Sequence, residues 1–569
     1  MNSKARLRAR IILLGFVVCG CAIVASLYDI QVLKGGTYSR RADTQYARPS
    51  VSVFDRGTIY FSSKDGTRIA AAGIDKGYFL YANPRMITDV AQAQKALSTY
   101  SVVDPALFNK VARSTSAYIE LAHKLPEETA VNIRDLKING IGVAKEAWRT
   151  YPGDELAAQT LGIIGQDASS TVKGRYGLER SYDRILTREH SVGSSNTFAS
   201  LFNGLDTVFG TTHDDGDIVT TIEPSVEAYL TKVLSDTRDQ WKPDSIGGIV
   251  MDPHTGEIVA LAHVPSFNPN NTSHIKDVSV LSNPLIEHVY EMGSIIKPLT
   301  MAVGLDSGAI KRNTTYDDTG CATIDKKKIC NYDGKARGIT PMQEILSQSL
   351  NMGAAYVALQ AGKDVMSRYF TAFGLGTTTG IDLPNEATGL IGNLTKKGQD
   401  IDVATASYGQ GIALSPVETI RALAVLANGG YVVTPHVTKS ILYTDGGVTD
   451  IDWPKQGPVL KEKTVSDVVD MLTTVVDTKL ANGKVKMDRY SIAAKTGTAE
   501  IADHANGGYY KDRYLHSFFG FFPAKNPKYI VFLYQIYPKG AKYASETLVE
   551  PFVDMTKFLI SYYNITPDR

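Results

Sequence analysis

The sequence predicts an α/β (α+β) protein with one N-terminal transmembrane helix, an elongated mixed domain and a larger C-terminal domain. Three observations support this fold class. An apolar run follows a basic start, the 569 residues are too many for one ordinary core, and alternating strand-like and helix-like segments begin near Ser245. With 43% hydrophobic and 21% charged residues, the composition is that of a globular protein.

The first thirty residues predict a retained membrane anchor over 11–28, an apolar run that follows a short basic tail, 1–10, containing Lys4, Arg6, Arg8 and Arg10. As a helix this run would span roughly 27 Å, close to the hydrocarbon thickness of a bilayer. The positive flank places the tail in the cytoplasm and the rest of the chain on the periplasmic side of the cytoplasmic (inner) membrane. A cleaved signal peptide, or a lipoprotein signal ending at Cys21, fits the length and the flanks less well.

The charge balance and the cysteines exclude several kinds of site. Lys plus Arg number 60 against 59 Asp plus Glu, which gives no electrostatic reason to expect a nucleic-acid partner. No phosphate-binding glycine loop or His-Glu-x-x-His pattern is present, so we expect no cofactor and no metal. Cys19 and Cys21 lie in the apolar run. Cys321 and Cys330 form a close exterior pair that favours a local disulfide over two free thiols.

The exterior chain predicts two domains, a stalk over 29–244 and a catalytic domain over 245–569. The stalk mixes short β-like runs, helical stretches and polar loops. The catalytic domain opens with two apolar runs, 246–250 and 258–262, separated by turn residues, which predicts a pair of strands. A last helix is predicted around 551–562.

Three short motifs occur in order along the catalytic domain: Ser294-Ile295-Ile296-Lys297, Ser349-Leu350-Asn351 and Lys495-Thr496-Gly497-Thr498. The apolar residues after Ser294 predict a buried helix, and Pro298 is tolerated only near its start. Residues three apart share a helix face, so Lys297 lies beside the Ser294 hydroxyl. Burial would favour a neutral lysine, which can accept the serine proton. The alternative is a helix cap with a solvated lysine.

The other two motifs add groups that such a serine would need. Ser349 and Asn351 lie between two predicted helices, where a hydroxyl can pass a proton and an amide can hold Lys297. The third motif extends a β-like run and offers a lysine, two hydroxyls and a glycine that lets a substrate backbone approach. Caps and exposed strand ends are the alternatives. Similar spacings recur at four other places, where order and context are wrong: Ser170/Lys173, Ser273/Lys276, Ser194/Asn196 and Ser266/Asn268.

Taken together, the motifs resemble the Ser-x-x-Lys, Ser-x-Asn and Lys-Thr-Gly set of penicillin-binding proteins and serine β-lactamases. The exterior chain resembles a class B penicillin-binding protein, and further matches are 252–258, 408–411 and, in the stalk, 56–59, 151–157 and 177–179. The resemblance implies a transpeptidase domain with an antiparallel sheet flanked by helices, and a dimerisation-type pedestal. Met292 and Ala494 depart from the usual Pro and Gly, which puts β-lactam affinity in doubt more than catalysis.

The resemblance also implies a peptidoglycan D,D-transpeptidase that cross-links stem peptides through a Ser294 acyl-enzyme. Lys297 would be the general base, Ser349 would deliver the proton to D-Ala, and Asn351 would orient Lys297. The third motif would bind the terminal carboxylate, and backbone N–H groups of Ser294 and Thr498 would form the oxyanion hole. β-Lactams would acylate Ser294.

Implied partners are peptidoglycan stem peptides on lipid-linked glycan strands, β-lactam antibiotics, the membrane, a polytopic glycosyltransferase and other division or elongation proteins. Three alternatives remain open. A β-lactamase or D,D-carboxypeptidase would use water as acceptor, a β-lactam sensor would acylate once and signal, and a structural subunit would have an idle site. The length and compact stalk favour a division-type enzyme over an elongation-type one.

Overall fold

The computed structural model describes residues 55–100, 103–166, 172–188, 215–395, 398–503 and 505–569. The predicted anchor over 11–28 lies outside these residues, as do Ser170, Ser194 and Asn196 of the alternative motifs. Within the described ranges no helix is both long enough and apolar enough to cross a bilayer. The chain divides into two compact units, one containing Ile74–Trp148 and the other containing Arg56–Gly73 and Arg149–Arg569.

The first unit is a small mixed domain. Its three helices are Val90–Ser98, Pro105–Arg113 and Glu127–Asp135, and Ile119–Leu125 pairs antiparallel with the end of the strand Arg68–Ala82. The Asp89 carboxylate caps the first of these helices by accepting from the Gln92 backbone N–H. Its core is apolar side chains that include Leu80, Leu97, Phe108, Leu121 and Ile133.

The centre of the second unit is a five-stranded antiparallel sheet. Its strands, in spatial order, are Ala493–Ala502, Tyr509–Phe522, Tyr529–Ile536, Ser245–Met251 and Ile258–Val264. The two strands predicted at the start of the catalytic domain are therefore confirmed as a pair. Every residue of Ile258–Val264 is buried, because helices cover both faces of the sheet.

Two long helices lie together on one face of this sheet. The apolar side of Pro224–Trp241 faces Ile258–Val264, and Phe552 of the last helix, Val549–Tyr562, stacks on Phe518 with ring centroids 4.4 Å apart. The two helices meet where Tyr229 stacks on Phe558 at 4.0 Å. The helix 224–241 precedes the predicted boundary at residue 245, yet it packs with the catalytic sheet because its apolar stripe has to be buried there.

A second group of helices contains Lys297 and Asn351 of the first two motifs. Its longer members are Lys297–Asp306, Met342–Ser347, Asn351–Ala361, Lys363–Ala372, Asp400–Ala406, Pro416–Ala424 and Glu462–Thr478. The remaining short helices of the unit are Ala158–Leu161, Gly177–Ser181, Asp183–Leu186, Pro284–Glu287, Gly392–Thr395 and Ala544–Thr547. Lys297–Asp306 contacts Asn351–Ala361 and Glu462–Thr478, which brings the first two motifs to one place.

Smaller strands complete the second unit. Ile59–Ser62 pairs parallel with Gly216–Thr220 and antiparallel with the start of Arg68–Ala82, and Thr438–Tyr443 joins the other side of Gly216–Thr220. The remaining strands of this unit are Ile164–Gln166, Val172–Gly174, Thr315–Asp318, Cys321–Ile324, Lys327–Cys330, Gly338–Pro341, Val432–Val433, Val448–Asp450 and Lys455–Gln456. The strand Ile141–Thr150, most of which belongs to the first unit, pairs with Arg68–Ala82.

The three stalk motifs singled out in the sequence meet at one buried carboxylate, that of Glu179. Arg56 Nε and Arg149 Nε each lie 2.6 Å from a different Glu179 oxygen, and the Tyr151 hydroxyl donates to it at 3.2 Å. Arg56 also contacts Asp183 at 2.8 Å. Glu179 is fully buried and Arg56 is 2% exposed, so the two guanidinium groups compensate a charge that water does not reach.

Candidate active site

Ser294 lies in a short 3₁₀ turn, Gly293–Ile296, that runs directly into the helix Lys297–Asp306. The Lys297 backbone N–H donates to the Ser294 carbonyl, and in such a turn the side chains of residues three apart lie one above the other. Lys297 is 1% exposed, whereas Ser294 is only partly buried. The alternative of a helix cap with a solvated lysine is therefore wrong, because the lysine is in the interior.

Close backbone packing fixes this turn against the sheet. Gly293 has φ +65°, and a side chain there would come within 2.8 Å of the Thr498 carbonyl oxygen. The Gly293 N–H donates to the Gly409 carbonyl at 3.1 Å, and the Ser517 hydroxyl donates to the Met292 carbonyl at 2.7 Å. The loop and the strand thus hold the turn from both sides, which limits the positions that Ser294 can take.

The Lys297 ammonium nitrogen joins the first motif to the second. Its Nζ donates to the Ser349 carbonyl at 2.6 Å, to the Ser349 hydroxyl at 3.2 Å and to Asn351 Oδ1 at 2.8 Å. All three acceptors are neutral oxygens. Burial lowers the pKa of Lys297 well below its usual value, and the nearby charge of Lys495 lowers it further. The site therefore favours a neutral amine next to the serine.

Lys495 approaches the same hydroxyl from the edge strand of the sheet, Ala493–Ala502. Its Nζ donates to Ser349 Oγ at 3.0 Å and to the Thr496 carbonyl at 3.1 Å. The side chain is 2% exposed, so the alternative of an ordinary exposed strand end is wrong. Burial lowers the pKa of Lys495 to about 7. Ser349 Oγ thus lies between two buried amines and can pass a proton between them.

Ser349 itself lies at the predicted transition between two helices, Met342–Ser347 and Asn351–Ala361. Its φ is +56°, a left-handed conformation that is unfavourable for a serine and persists only where neighbouring contacts impose it. This conformation turns both its carbonyl and its hydroxyl towards Lys297.

The third motif is brought to the site, where Gly497 packs closely against the turn Gly293–Ile296. A side chain at Gly497 would meet Ser517 Oγ, Met292 O at 2.7 Å and Ile295 N at 3.0 Å. The glycine therefore makes room for the turn that carries Ser294, and its role in admitting a substrate backbone stays a prediction. Thr496 and Thr498 are partly exposed, and Thr498 Oγ1 accepts from the Ala544 N–H at 3.1 Å.

Sequence reasoning missed Glu291, three residues before the serine. Its Oε1 accepts from the Gly411 N–H at 3.1 Å and from the Tyr509 hydroxyl at 3.0 Å, and burial raises its pKa. Glu291 connects the loop 408–411 and the strand Tyr509–Phe522 to the start of the turn Gly293–Ile296. The two glycines of that loop were the available signal, because closely spaced glycines indicate close backbone packing.

The structure also shows how Cys321, Cys330 and the possible metal ligands are arranged. Cys321 and Cys330 form a disulfide between the paired strands Cys321–Ile324 and Lys327–Cys330. Among the residues that the structure describes, no group of His, Cys, Asp and Glu side chains could hold a metal ion.

Family models match both parts of the chain. Residues 246–554 match the penicillin-binding protein transpeptidase domain, and residues 55–199 match the penicillin-binding protein dimerisation domain. The chain belongs to the class B penicillin-binding proteins. The mixed α/β transpeptidase fold and the dimerisation domain expected from the sequence are confirmed.

Two curated relatives of this class are similar over nearly the whole chain. Stage V sporulation protein D of Bacillus subtilis (strain 168) is 27% identical over 97% of this chain and 85% of its own length. The peptidoglycan D,D-transpeptidase FtsI of Escherichia coli (strain K12) is 25% identical over 97% of this chain and 92% of its own length.

Solved structures of the class share the fold. Penicillin-binding protein 3 of Mycobacterium tuberculosis in complex with aztreonam superposes with a TM-score of 0.68 at 20% identity, covering 90% of this chain and 97% of that one. Penicillin-binding protein 2X of Streptococcus thermophilus superposes with a TM-score of 0.72 at 19% identity, covering 90% and 81%.

Proposed function

We propose that this protein is a peptidoglycan D,D-transpeptidase that cross-links stem peptides during cell-wall synthesis, with Ser294 as its nucleophile. The observation that carries the proposal is the position of Lys297, which is buried one turn from Ser294 and donates only to neutral oxygens of Ser349 and Asn351. A neutral amine in this place is the base that a serine acyltransferase requires. The class membership and the name of the Escherichia coli relative support the same activity.

The reaction proceeds in two acyl-transfer steps. Ser294 Oγ attacks the carbonyl carbon of the penultimate D-Ala while Lys297 Nζ takes the hydroxyl proton. The C–N bond then breaks, and D-Ala leaves as a neutral amine with a proton delivered through Ser349 Oγ. An amine of a second stem peptide attacks the resulting ester and loses its proton to the same relay. The bond between Ser294 Oγ and the acyl carbon breaks, Ser294 Oγ takes a proton back from Lys297 Nζ, and a new amide bond is left between the peptides.

Binding of the donor peptide is assigned to the third motif and its surroundings. A charged Lys495, together with the partly exposed Thr496 and Thr498, attracts the terminal carboxylate of the donor. Backbone N–H groups of Ser294 and Thr498 are the proposed oxyanion hole, since they lie on the turn and the strand that meet at Gly293. β-Lactams, whose carboxylate and strained amide have the same relative arrangement, acylate the same serine.

The cellular setting is proposed from the sequence. The basic tail and the apolar run over 11–28 support a single-pass anchor in the cytoplasmic membrane with the catalytic domain outside. A polytopic glycosyltransferase that makes the glycan strand is the proposed partner, with the pedestal as contact, and the length and compact stalk favour a role in division.

The test is intact-mass spectrometry of the full-length chain in detergent micelles after incubation with benzylpenicillin. We expect one stable penicilloyl adduct in the wild type and none in Ser294→Ala. The matched control is Ser273→Ala, which changes the exposed serine of an alternative Ser-x-x-Lys and leaves the adduct intact. Rapid loss of penicillin without an adduct would identify a β-lactamase instead.

A second assay separates transfer from hydrolysis. The chain is given a synthetic donor peptide ending in D-Ala-D-Ala together with a peptide amine as acceptor. The proposal expects released D-Ala to be matched by cross-linked product, and both to vanish in Ser294→Ala. Release of D-Ala with only hydrolysed donor would make the protein a carboxypeptidase.

A further inference from the structure

The disulfide hairpin is part of a larger segment that borders the second motif. This segment, 318–337, is here called the clasp. Its two short strands, Cys321–Ile324 and Lys327–Cys330, form a two-stranded sheet of their own and are joined by the disulfide at the end nearest the active site. Since an isolated two-stranded hairpin is only marginally stable, the covalent bond fixes where its last residue, Cys330, lies.

The clasp contacts the Ser349–Asn351 motif on both sides. At the end of the motif, Asn351 Nδ2 donates to the Cys330 carbonyl at 3.1 Å, and directly after it the Met352 N–H donates to Asn331 Oδ1 at 3.0 Å. Before the motif, Arg337 Nε donates to Gln348 Oε1 at 3.2 Å. The same Asn351 side chain uses its oxygen to accept from Lys297 Nζ at 2.8 Å.

Buried polar contacts join the start of the clasp to the residue after the disulfide. Asn331 Nδ2 donates to both carboxylate oxygens of Asp318, at 2.9 and 3.0 Å, and the Asn331 N–H donates to the Gly320 carbonyl at 2.8 Å. Asp318 is fully buried and Asn331 is 3% exposed. These contacts and the disulfide fix Cys330 and Asn331 within the clasp, and Ile329 packs the clasp against the helix Asn351–Ala361.

These contacts explain how Ser349 keeps its unfavourable left-handed backbone. A strained residue persists where its surroundings over-determine its conformation, and here both flanks of the motif are tied to one closed segment. We propose that the disulfide-closed clasp is a positioning element for catalysis, which holds Asn351 and Ser349 and, through them, the amine of Lys297. This inference rests on the proposed function and adds to it a residue set outside the three motifs.

The test measures acylation kinetics of the full-length chain in detergent micelles with a fluorescent penicillin. Four samples are compared: the disulfide-bonded wild type, the wild type treated with TCEP, C321S/C330S, and C321S/C330S treated with TCEP. Opening the clasp loosens one or two hydrogen bonds to the motif, so we expect the maximal acylation rate to fall roughly tenfold in the second and third samples. The final labelled fraction and the half-saturating penicillin concentration stay unchanged.

Three controls make the result specific. TCEP has no further effect on C321S/C330S, which shows that Cys19 and Cys21 do not contribute. Asn331→Ala, in which the disulfide is intact, also slows acylation, as opening the disulfide does. Ser273→Ala, at an exposed position outside the clasp, leaves the rate unchanged.

Two outcomes overturn the inference while leaving the proposed function in place. The first is an acylation rate that does not change when the disulfide is opened. The second is a smaller labelled fraction with an unchanged rate constant, which would make the hairpin a folding element only. Absence of any adduct in the disulfide-bonded wild type would overturn the proposed function and, with it, the positioning role.

Discussion

Two clusters of buried charge in the second unit are built in opposite ways. At Glu179, a fully buried carboxylate lies 2.6 Å from each of two guanidinium groups, those of Arg56 and Arg149. At Ser349, two buried amines of like charge, Lys297 and Lys495, share one hydroxyl and donate to neutral oxygens. In the first cluster a carboxylate faces groups of opposite charge, whereas in the second cluster burial lowers the pKa of both lysines.

The difference separates stability from chemistry. A compensated buried carboxylate joins three distant stretches of the chain, and breaking it leaves an unpaired charge in the interior. Uncompensated buried amines destabilise the folded state, but they provide a base that is ready to take a proton. A mutation in the Glu179 cluster should therefore lower the stability and leave the acylation rate unchanged. A mutation of Lys297 should slow acylation and raise the stability.

The largest expected effect is that of Lys297→Met, which removes the proposed base but keeps the volume. The maximal acylation rate should fall roughly 10²–10⁴-fold, the usual contribution of a general base. The folded state should become more stable, because methionine does not have to give up a proton or a solvation shell. Stopped-flow acylation and urea unfolding of the same preparation give the two quantities.

The size of the stability gain in Lys297→Met depends on pH in a way that checks its cause. A lysine whose folded pKa is lowered destabilises the fold fully below that pKa, and the penalty shrinks as pH rises towards 10.5. The advantage of Lys297→Met should therefore be smaller at pH 10 than at pH 7. A variant that is less stable than the wild type at pH 7 would contradict the contrast between the clusters.

Next in size is Glu179→Gln, which leaves two buried guanidinium groups without their carboxylate. The free energy of unfolding of this unit should fall by about 3–5 kcal/mol, as for one broken partner of a buried ion pair. The acylation rate per folded molecule should stay unchanged. Asp239→Asn, in an exposed pair with Lys242, is the matched control and should leave the unfolding curve unchanged.

A smaller effect is expected when the charge of Lys495 is titrated. Since its pKa is about 7, a larger fraction of Lys495 is charged at pH 6 than at pH 8, and the charged form attracts the penicillin carboxylate. The half-saturating penicillin concentration should thus rise several-fold between these two pH values. In Lys495→Met it should be higher throughout and lack this step, and a step that persists in the variant would assign the titration to another group.

The smallest effect on the free energy of unfolding is expected for Asp183, at the partly exposed edge of the Glu179 cluster. Asp183 contacts Arg56 at 2.8 Å, but its side chain is 28% exposed. Asp183→Asn keeps the oxygen that accepts from the Gly174 N–H and should change the free energy of unfolding by less than about 1 kcal/mol. A loss as large as that of Glu179→Gln would show that the number of charges, rather than their burial, decides the stability of this cluster.

Most of the site was predictable because its groups lie in short motifs. The spacing of Ser294 and Lys297, the break between helices at Ser349, and the β-like run before Lys495 each follow from local propensities, and the structure brings all three together. The close packing of Gly497 against Ser517 and the turn Gly293–Ile296 was not predicted, because these neighbours lie on other elements. Glu291 and the clasp were missed because their importance comes from partners on other elements.

By itself, the sequence determined the class of the protein, the nucleophile candidate, the two-strand start of the catalytic domain and the pairing expected of Cys321 and Cys330. These depend on residue types at short separations. The tertiary structure alone decided that Lys297 and Lys495 are buried at one hydroxyl, that three stalk motifs meet at Glu179, and that Ser349 adopts a left-handed backbone. Burial and charge compensation are set by residues that lie between 30 and 146 positions apart, and local sequence does not specify which of them meet.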